Sequence, residues 1–224
     1  MKIINLSDTP SILGQYIKEL RSTDIQHDSM RFRHNLARIG WLMAFEMSRS
    51  LNYKKEKVTT PLGVADVQTP ADQLVIGTIL RAGLTLHQGF LDVFDQAENA
   101  FVSAYREEHD NKLSIHVEYK AAPSLHGKTL ILVDPMLATG GSMHLAFEAL
   151  KQNGMPSHLH LAAVIASQQG IDYIADKFAD TDATLWVEGR CELKRHCGML
   201  DVRAFHQMPS RRHRPVPARC RHFC

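Results

Sequence analysis

The sequence predicts an α/β protein with a doubly wound, mostly parallel sheet that is flanked by helices and carries a small β-rich flap. Strand patterns alternate with helical patterns along most of the chain, as a parallel sheet with crossover helices requires. Leu74–Leu80 and Leu159–Ala166 are predominantly apolar, which is typical of strands covered on both faces. The 224 residues are enough for one well-buried domain of this class.

The first part of the chain is predicted to hold two helices and a hairpin. A short strand at Ile3–Leu6 precedes a helix capped by Asp8 or Thr9, because these side chains accept hydrogen bonds from the first N–H groups of a helix. Apolar residues at helical spacing predict a second helix over about residues 29–50. Val58–Val64 places Pro and Gly inside a β-rich stretch, which predicts a strand, a turn and a strand.

The rest of the chain is predicted to alternate strands and helices until the last strand ends at Val187. The predicted strands are 74–80, 100–105, 114–119, 130–133, 159–166 and 183–187. The predicted helices run from just after residue 83 to about 93, over 143–152 and over 171–178. A polar loop is predicted at 109–112.

The stretch Ile131–Met143 is predicted to form the ligand site. An apolar strand ends at Asp134, and a turn of small residues leads into the next helix. Such a turn binds phosphate because the helix leaves its first N–H groups unpaired, its dipole attracts negative charge, and glycine allows close approach to the main chain. Thr139 and Ser142 add hydroxyl donors, and Asp134 is placed to accept hydrogen bonds from sugar hydroxyls. The predicted ligand is a sugar phosphate.

Other interpretations of this turn fit the sequence less well. A nucleotide-binding P-loop carries a Lys after its last Gly, whereas Ser142 and Met143 follow here. A dinucleotide-binding turn spreads its glycines over six positions, whereas Gly140 and Gly141 are adjacent. A structural turn without a ligand stays open on the local pattern alone.

Two arginines are predicted at the same edge of the sheet as Asp134. Arg81 follows the strand Leu74–Leu80 and Arg106 follows the strand predicted at 100–105, and ligands collect at the carboxyl ends of parallel strands. Guanidinium groups match phosphate oxygens. A single Arg is more often only solvated or ion-paired, but the joint position of these two predicts a second, more highly charged anion.

Three motifs resemble those of phosphoribosyltransferases and occur in the order of that superfamily. Asp134–Ser142, Asp-Pro-Met-Leu-Ala-Thr-Gly-Gly-Ser, resembles the loop that binds 5-phosphoribosyl-1-pyrophosphate (PRPP). Pro135 stands where most of the superfamily has a second acidic residue, and this resembles the uracil phosphoribosyltransferase branch. Ile79–Leu84 resembles the segment that contacts pyrophosphate, and Tyr105–Glu108 the start of the flexible flap. The resemblance covers residues 1–187 and implies the type I phosphoribosyltransferase fold.

The resemblance implies a reaction of pyrimidine salvage: transfer of ribose-5-phosphate from PRPP to N1 of uracil, giving UMP and pyrophosphate. It implies catalytic roles for Arg81 and Arg106 on the leaving group, aided by Mg²⁺ held mainly through PRPP, and for Asp134 on the ribose. It also implies a homo-oligomer and, as in some members, a response to GTP. No uracil-binding residue and no protein ligand for a metal are assigned. The residues implied to bind PRPP are Arg81, Arg106, Asp134, Pro135, Met136, Leu137, Ala138, Thr139, Gly140, Gly141 and Ser142.

Residues 188–224 depart from the resemblance and from the composition of the body, 1–187. A uracil phosphoribosyltransferase would continue with a string like Ile-Val-Pro-Gly-Leu-Gly-Asp-Ala-Gly-Asp, which binds uracil, and the sequence has none. Nine Arg or Lys against three Asp or Glu give this tail a formal charge of about +6, against about −4 for the body. All four cysteines lie in it.

Three explanations of the tail stay open. A zinc site would use its cysteines, although they form no Cys-x₂-Cys pair. A basic arm for nucleic acid would use Arg211, Arg212 and Arg214. The preferred hypothesis is that the tail is translated out of frame, which explains its sudden enrichment in Arg, Cys and His without any function.

The remaining composition restricts the partners. No apolar run approaches the ~20 residues of a membrane span, and the amino terminus lacks an apolar signal core, so we expect a cytoplasmic protein. A formal charge of +2 does not indicate nucleic acid as a partner. Two alternatives to a uracil transferase remain: a PRPP-sensing regulator that binds RNA through the tail, and a phosphoribosyltransferase for another base.

Overall fold

The computed structural model describes residues 1–109 and 112–191, with the side chains of 104–109, 112–117 and 190–191 outside that description. Its strands are β1 (Lys2–Asn5), β2 (Tyr53–Thr60), β3 (Gly63–Pro70), β4 (Leu74–Leu80), β5 (Glu98–His109), β6 (Lys112–Ala121), β7 (Thr129–Leu137), β8 (His158–Ser167) and β9 (Ala183–Cys191). Its α-helices are α1 (Leu13–Arg21), α2 (Ser29–Ser48), α3 (Leu84–Leu91), α4 (Gly141–Leu150) and α5 (Gln168–Lys177), with short 3-10 turns at Leu6–Asp8 and Lys151–Asn153.

Seven strands form the central sheet, in the order β1-β9-β8-β7-β4-β5-β6. Every neighbouring pair is parallel except β5 and β6, which form an antiparallel edge. Strands β2 and β3 make a separate antiparallel hairpin, with Tyr53 opposite Pro70 and Thr60 opposite Gly63. The predicted mostly parallel sheet and small β-rich hairpin are therefore confirmed.

Helices cover both faces of the sheet because its parallel strands are apolar on both sides. One core contains buried residues of α1, α2 and α3, including Leu20, Leu36 and Phe90. The other contains buried residues of α4 and α5, including Phe147 and Ile174. The sheet is doubly wound, as the sequence predicts.

The direction of winding reverses between β4 and β7. From β4 the chain continues outward through β5 and β6, then returns to place β7 on the other side of β4 and continues through β8 and β9. The helix after β4 lies on one face and the helix after β7 on the other. This reversal opens a crevice at the carboxyl ends of β4 and β7, which is where open α/β sheets bind ligands.

The predicted cap of the first helix is wrong. The helix α1 begins at Leu13, where Ser11 Oγ accepts a hydrogen bond from the Leu13 N–H at 3.2 Å. Asp8 instead belongs to the preceding 3-10 turn and accepts from the Asn5 side chain at 2.5 Å. Its carboxylate is thus used in a local turn. By contrast, Asp28 caps α2 through the N–H groups of Met30 and Arg31.

The edge hairpin corrects the prediction for the β5 region. β5 runs to His109 and β6 starts at Lys112, where the sequence predicted strands at 100–105 and 114–119 and a loop at 109–112. Arg106 consequently lies within β5, opposite Ile115, and not at the end of the strand. An antiparallel edge exchanges main-chain hydrogen bonds without needing a buried apolar run, so the polar sequence did not predict these residues as strand.

Strands β7 and β9 are also longer than predicted. β7 continues past Asp134 to Leu137 because Met136 and Leu137 pair with Ile165 and Ala166 of β8. β9 continues past Val187 to Cys191. The prediction for β4, Leu74–Leu80, matches the structure at both ends. Within the described ranges, no helix is long and apolar enough to cross a bilayer.

Candidate active site

The predicted phosphate-binding turn surrounds a cavity at the crevice between β4 and β7. The cavity has a volume of about 120 Å³. Its floor and walls come from the carboxyl end of β7, the turn after it and the first turn of α4, with one contribution from the turn after β4. The lining residues are Ala82, Asp134, Pro135, Met136, Leu137, Ala138, Thr139, Gly140, Ser142 and Met143.

The amino terminus of α4 faces the site without a side-chain cap. Gly140 occupies the position before the helix, and among the described residues no side-chain cap hydrogen bond is formed there. The first intrahelical bond beyond this terminus joins the His144 N–H to the Gly140 carbonyl at 3.0 Å. An uncapped helix terminus presents N–H donors and the positive end of the helix dipole, which together bind anions.

Gly140 allows the turn because of its backbone conformation. Its φ is +80°, in the left-handed region that glycine adopts without steric cost. A Cβ atom at this position would stand 2.7 Å from Cδ1 of Tyr173 and 3.2 Å from the Gly170 carbonyl oxygen. Both the conformation and the close packing therefore require a residue without a side chain.

Asp134 lies on the cavity wall, but not at the end of its strand as predicted. β7 extends three residues beyond it. Because Val133 pairs with Thr78 and β4 ends at Leu80, Asp134 still lies near the level at which β4 stops. Its side chain is half-buried, so a carboxylate is held at the opening of the crevice.

The turn after β4 approaches the same cavity from the other side. Arg81 follows the strand directly and is exposed, and its neighbour Ala82 lines the cavity. The Leu80–Arg81 peptide bond is cis. The structure thus places the turn that carries Arg81 beside the turn that follows Asp134, at the edge of the sheet where the sequence predicted both residues.

The second predicted arginine is only partly described. Arg106 lies in β5 next to β4, so its strand is adjacent to the one that leads to Arg81. Its side chain is among those outside the description. The role predicted for Arg106 therefore stays a prediction.

The rear of the phosphate-binding turn packs on α5. Ser167 caps that helix by accepting a hydrogen bond from the Gly170 N–H at 2.9 Å, and its hydroxyl also donates to the Ala138 carbonyl. The Tyr173 hydroxyl lies 3.2 Å from His144 Nδ1. Burial lowers the pKa of His144, which favours the neutral ring that can accept this hydrogen bond.

The sequence predicted most of the residues that line the cavity, but it missed two of them and the residues that pack behind the turn. Gly141 belongs to the predicted loop but does not line the cavity, whereas Ala82 and Met143 line it and were not predicted. Their positions beside predicted residues were the available signal. Ser167 and Gly170 stand at the end of a strand and the start of a helix. This local pattern indicates a helix cap, but it does not reveal the contact of Ser167 with Ala138, 29 residues earlier.

The described side chains at the cavity do not form a metal site by themselves. Among the residues the structure describes, no group of three or more His, Cys, Asp or Glu side chains could hold a metal ion. Asp134 is the carboxylate on the cavity wall. The residues therefore fit a hard cation held mostly by oxygen atoms of a ligand, and do not fit a metal held by protein side chains. The tail residues proposed above for zinc lie outside the described ranges, apart from the backbone of Cys191.

The fold and the site together define an α/β protein with a candidate anion site at its topological switch point. The family model for uracil phosphoribosyltransferase matches residues 7–195, and the chain belongs to that family. The match extends eight residues into the tail. Membership favours the transferase over an RNA-binding regulator.

Individual relatives agree with this assignment. A uracil phosphoribosyltransferase of Porphyromonas gingivalis is 48% identical over 188 residues, which cover 84% of this chain and 87% of that protein. One of Thermococcus sibiricus is 32% identical over 184 residues, 81% of this chain and 78% of that protein. The solved structure of the AQ2163 protein from Aquifex aeolicus superposes with a TM-score of 0.76 at 26% identity, covering 85% of this chain and 88% of that one.

Proposed function

We propose that the body of this chain binds PRPP at the junction of β7 and α4 and serves the transfer of its ribose-5-phosphate to N1 of uracil. The observation that carries the proposal is the cavity of about 120 Å³, walled by Asp134 and by the turn before the uncapped terminus of α4. In this arrangement the 5′-phosphate lies against the N–H groups of residues 139–142 and the hydroxyls of Thr139 and Ser142.

Each site residue has a distinct task in the proposed reaction. Fixing the 5′-phosphate holds the sugar so that C1 is presented to the base, and this positioning removes much of the entropic cost of the reaction. Asp134 accepts hydrogen bonds from the ribose hydroxyls and stabilises the positive charge that develops on the ring. Arg81 and Arg106 stabilise the negative charge of the departing pyrophosphate. Direct displacement needs no nucleophile from the protein.

A Mg²⁺ ion fits this site as a companion of the substrate. It would be held through oxygen atoms of PRPP, with Asp134 as the carboxylate on the cavity wall. When bound, the ion neutralises charge on the pyrophosphate. A homo-oligomer, a GTP effector and a cytoplasmic location remain predictions that derive from the sequence.

The division at Val187 has a functional consequence. The body, 1–187, carries the PRPP half of the site, whereas the string that would bind uracil is missing from 188–224. We infer that the tail is an out-of-frame segment and that the chain as written binds PRPP without efficient transfer to a base. The identity of the base, for which uracil is proposed from the family, depends on that missing part.

The roles of the arginines are tested by binding, because binding does not require the base site. Titration calorimetry with PRPP and Mg²⁺ is compared with titration of ribose-5-phosphate, which lacks the pyrophosphate. Arg81→Ala and Arg106→Ala are each expected to weaken PRPP binding by roughly 10- to 100-fold, the value of a charge-assisted hydrogen bond, and to leave ribose-5-phosphate binding unchanged.

The matched control is Arg49→Ala. Arg49 is exposed at the carboxyl end of α2 and pairs with Glu46 at 3.0 Å, so its removal changes the net charge by the same amount away from the site. If Arg81→Ala binds PRPP as tightly as Arg49→Ala does, Arg81 has no part in holding the pyrophosphate.

A further inference from the structure

The rear of the phosphate-binding turn is tied to α5 by one buried hydroxyl. Ser167 is 4% exposed and stands at the junction of β8 and α5. Its oxygen accepts a hydrogen bond from the Gly170 N–H at 2.9 Å, as a helix cap does, and its hydroxyl donates a hydrogen bond to the Ala138 carbonyl. The same side chain therefore begins one helix and holds the turn that precedes another.

Close packing supports this tie. A Cβ atom on Gly170 would lie 2.8 Å from the carbonyl oxygens of both Leu137 and Ala138. The first turn of α5 thus approaches the main chain of the turn more closely than any side chain allows. At the other end of the turn, a Cβ atom on Gly140 would lie in close contact with the Tyr173 side chain and the Gly170 carbonyl oxygen.

Peptide geometry links the Ser167 contact to the ligand side. The peptide unit between Ala138 and Thr139 is planar and trans, so its carbonyl and its N–H point in opposite directions. Because Ser167 holds the Ala138 carbonyl toward α5, the Thr139 N–H points away from α5. Thr139 lines the cavity, and the neighbouring N–H groups follow along the same stretch of main chain.

We propose that Ser167 is a positioning residue of the phosphate-binding turn, which orients the N–H groups around Thr139 through its hydrogen bond to the Ala138 carbonyl. The inference rests on the proposed function, because it assigns the ligand side of the turn to the 5′-phosphate of PRPP. Ser167 itself does not line the cavity and acts only through the main chain of the turn.

The test separates orientation of the turn from simple helix capping. Ser167→Ala, Ser167→Thr and Asp28→Ala are compared with the unaltered full chain by calorimetry, using ribose-5-phosphate and, separately, pyrophosphate with Mg²⁺. Asp28 caps α2 through two backbone N–H groups, so Asp28→Ala removes a helix cap at a distance from the turn. Thermal unfolding of each variant is measured in parallel.

Loss of the hydrogen bond is expected to weaken ribose-5-phosphate binding roughly three- to tenfold in Ser167→Ala. Pyrophosphate binding stays within about twofold because it depends on Arg81 and Arg106, and Ser167→Thr recovers most of the affinity because it keeps the hydroxyl. Asp28→Ala lowers the melting temperature as Ser167→Ala does but leaves both affinities unchanged.

Three results would overturn the inference. The first is unchanged ribose-5-phosphate affinity in Ser167→Ala while the unaltered chain binds that ligand. The second is an equal loss of both ligands in Ser167→Ala, which indicates general loss of structure. The third is failure of the unaltered chain to bind ribose-5-phosphate, and this one contradicts the proposed function as well.

Discussion

Glu188 carries a carboxyl group that is buried in the central sheet. It lies in β9, is 2% exposed, and its Oε2 atom has no hydrogen-bond partner in the part of the chain that the structure describes. Burial raises the pKa of Glu188 to about 7. A buried carboxyl without a partner is costly.

This burial makes the stability of the protein depend on pH. The folded-state pKa lies above that of the unfolded chain, so the unfolded chain loses the proton first as the pH rises. The contribution of Glu188 to stability is therefore complete below about pH 4.5 and is lost as the pH rises through about 7. Glu188→Gln does not titrate and should become more stable relative to the unaltered chain by on the order of 1–3 kcal/mol between pH 5 and 7.5.

Urea denaturation of both chains at pH 5 and pH 7.5 measures this difference in the free energy of unfolding. Glu98→Gln is the control, because half of the Glu98 side chain is exposed and it pairs with Lys128, and its effect on stability should change much less between the two pH values. The same free-energy difference between Glu188→Gln and the unaltered chain at both pH values would show that Glu188 is not buried as described.

Residue chemistry predicted the lining of the cavity better than it predicted the residues that support it. Asp134, Thr139 and Ser142 line the cavity, and the sequence indicated them because their positions after an apolar strand have a direct chemical meaning. Ser167 was missed because its hydroxyl contacts the Ala138 carbonyl across 29 residues, and such a contact depends on how two crossover connections pack. A single sequence indicates that Ser167 can cap a helix, but it does not indicate the second hydrogen bond, to the Ala138 carbonyl.

The helices differ in how the N–H groups of their first turns are satisfied. Asp28 caps α2 and Ser167 caps α5, whereas among the described residues α3 and α4 have no side-chain cap. Gly140 brings the chain into α4 in a left-handed conformation, and Gly140, Ser142 and Met143 line the cavity. Because the first turn of α4 lines the cavity, its lack of a side-chain cap is consistent with a ligand that supplies the acceptor.

Gly140→Ala tests this element. The substitution combines a strained φ of +80° with a clash against Tyr173, and a cost of about 1–3 kcal/mol is expected for such a conformation. We expect ribose-5-phosphate affinity to fall by at least roughly tenfold, because the turn must move to accept the methyl group. Calorimetry measures the affinity, and urea denaturation measures the free energy of unfolding.

The matched control is Gly127→Ala. Gly127 has a φ of +74°, but a Cβ there would meet no atom within 4 Å, and the residue precedes β7 at the opposite end of the strand. It should lose stability from backbone strain while it keeps ligand affinity. Equal affinities in the two variants would contradict a role for the conformation of Gly140 in binding.

Elements were predictable where burial decides them. Leu74–Leu80 is apolar throughout its length except for Gly77 and Thr78, and β4 has the predicted ends. The carboxyl part of β5 and the amino part of β6 contain mostly polar residues, and pairing between the two strands, not burial, defines them. The predicted start of α1 was wrong because Asp8, which was expected to cap the helix, belongs to a local turn.

At the scale of the whole molecule, the topology brings the two halves of the proposed PRPP site together. The winding reverses between β4 and β7, so the turn with Arg81 and the turn after Asp134 open toward one crevice. Alternation of strands and helices predicted a doubly wound sheet but not the order of its strands. That order depends on non-local packing, and only the structure placed β7 beside β4.

The tail determines whether this molecule completes the reaction. We expect the full chain to bind PRPP and Mg²⁺ yet to form UMP from labelled uracil weakly or not at all, because the uracil-binding string is absent. Translation of the gene in the other two frames past the Val187 codon should reveal a string like Gly-Asp-Ala-Gly-Asp, and a chain that carries it should gain turnover. Efficient UMP synthesis by the chain as written would contradict this account.

The most direct measurement is a crystal structure of the full chain soaked with PRPP and Mg²⁺. The account predicts the 5′-phosphate against the main-chain N–H groups of residues 139–142, with the ribose hydroxyls on Asp134 and the pyrophosphate toward Arg81. Clear density for PRPP at another place, with the crevice between β4 and β7 empty, would contradict it.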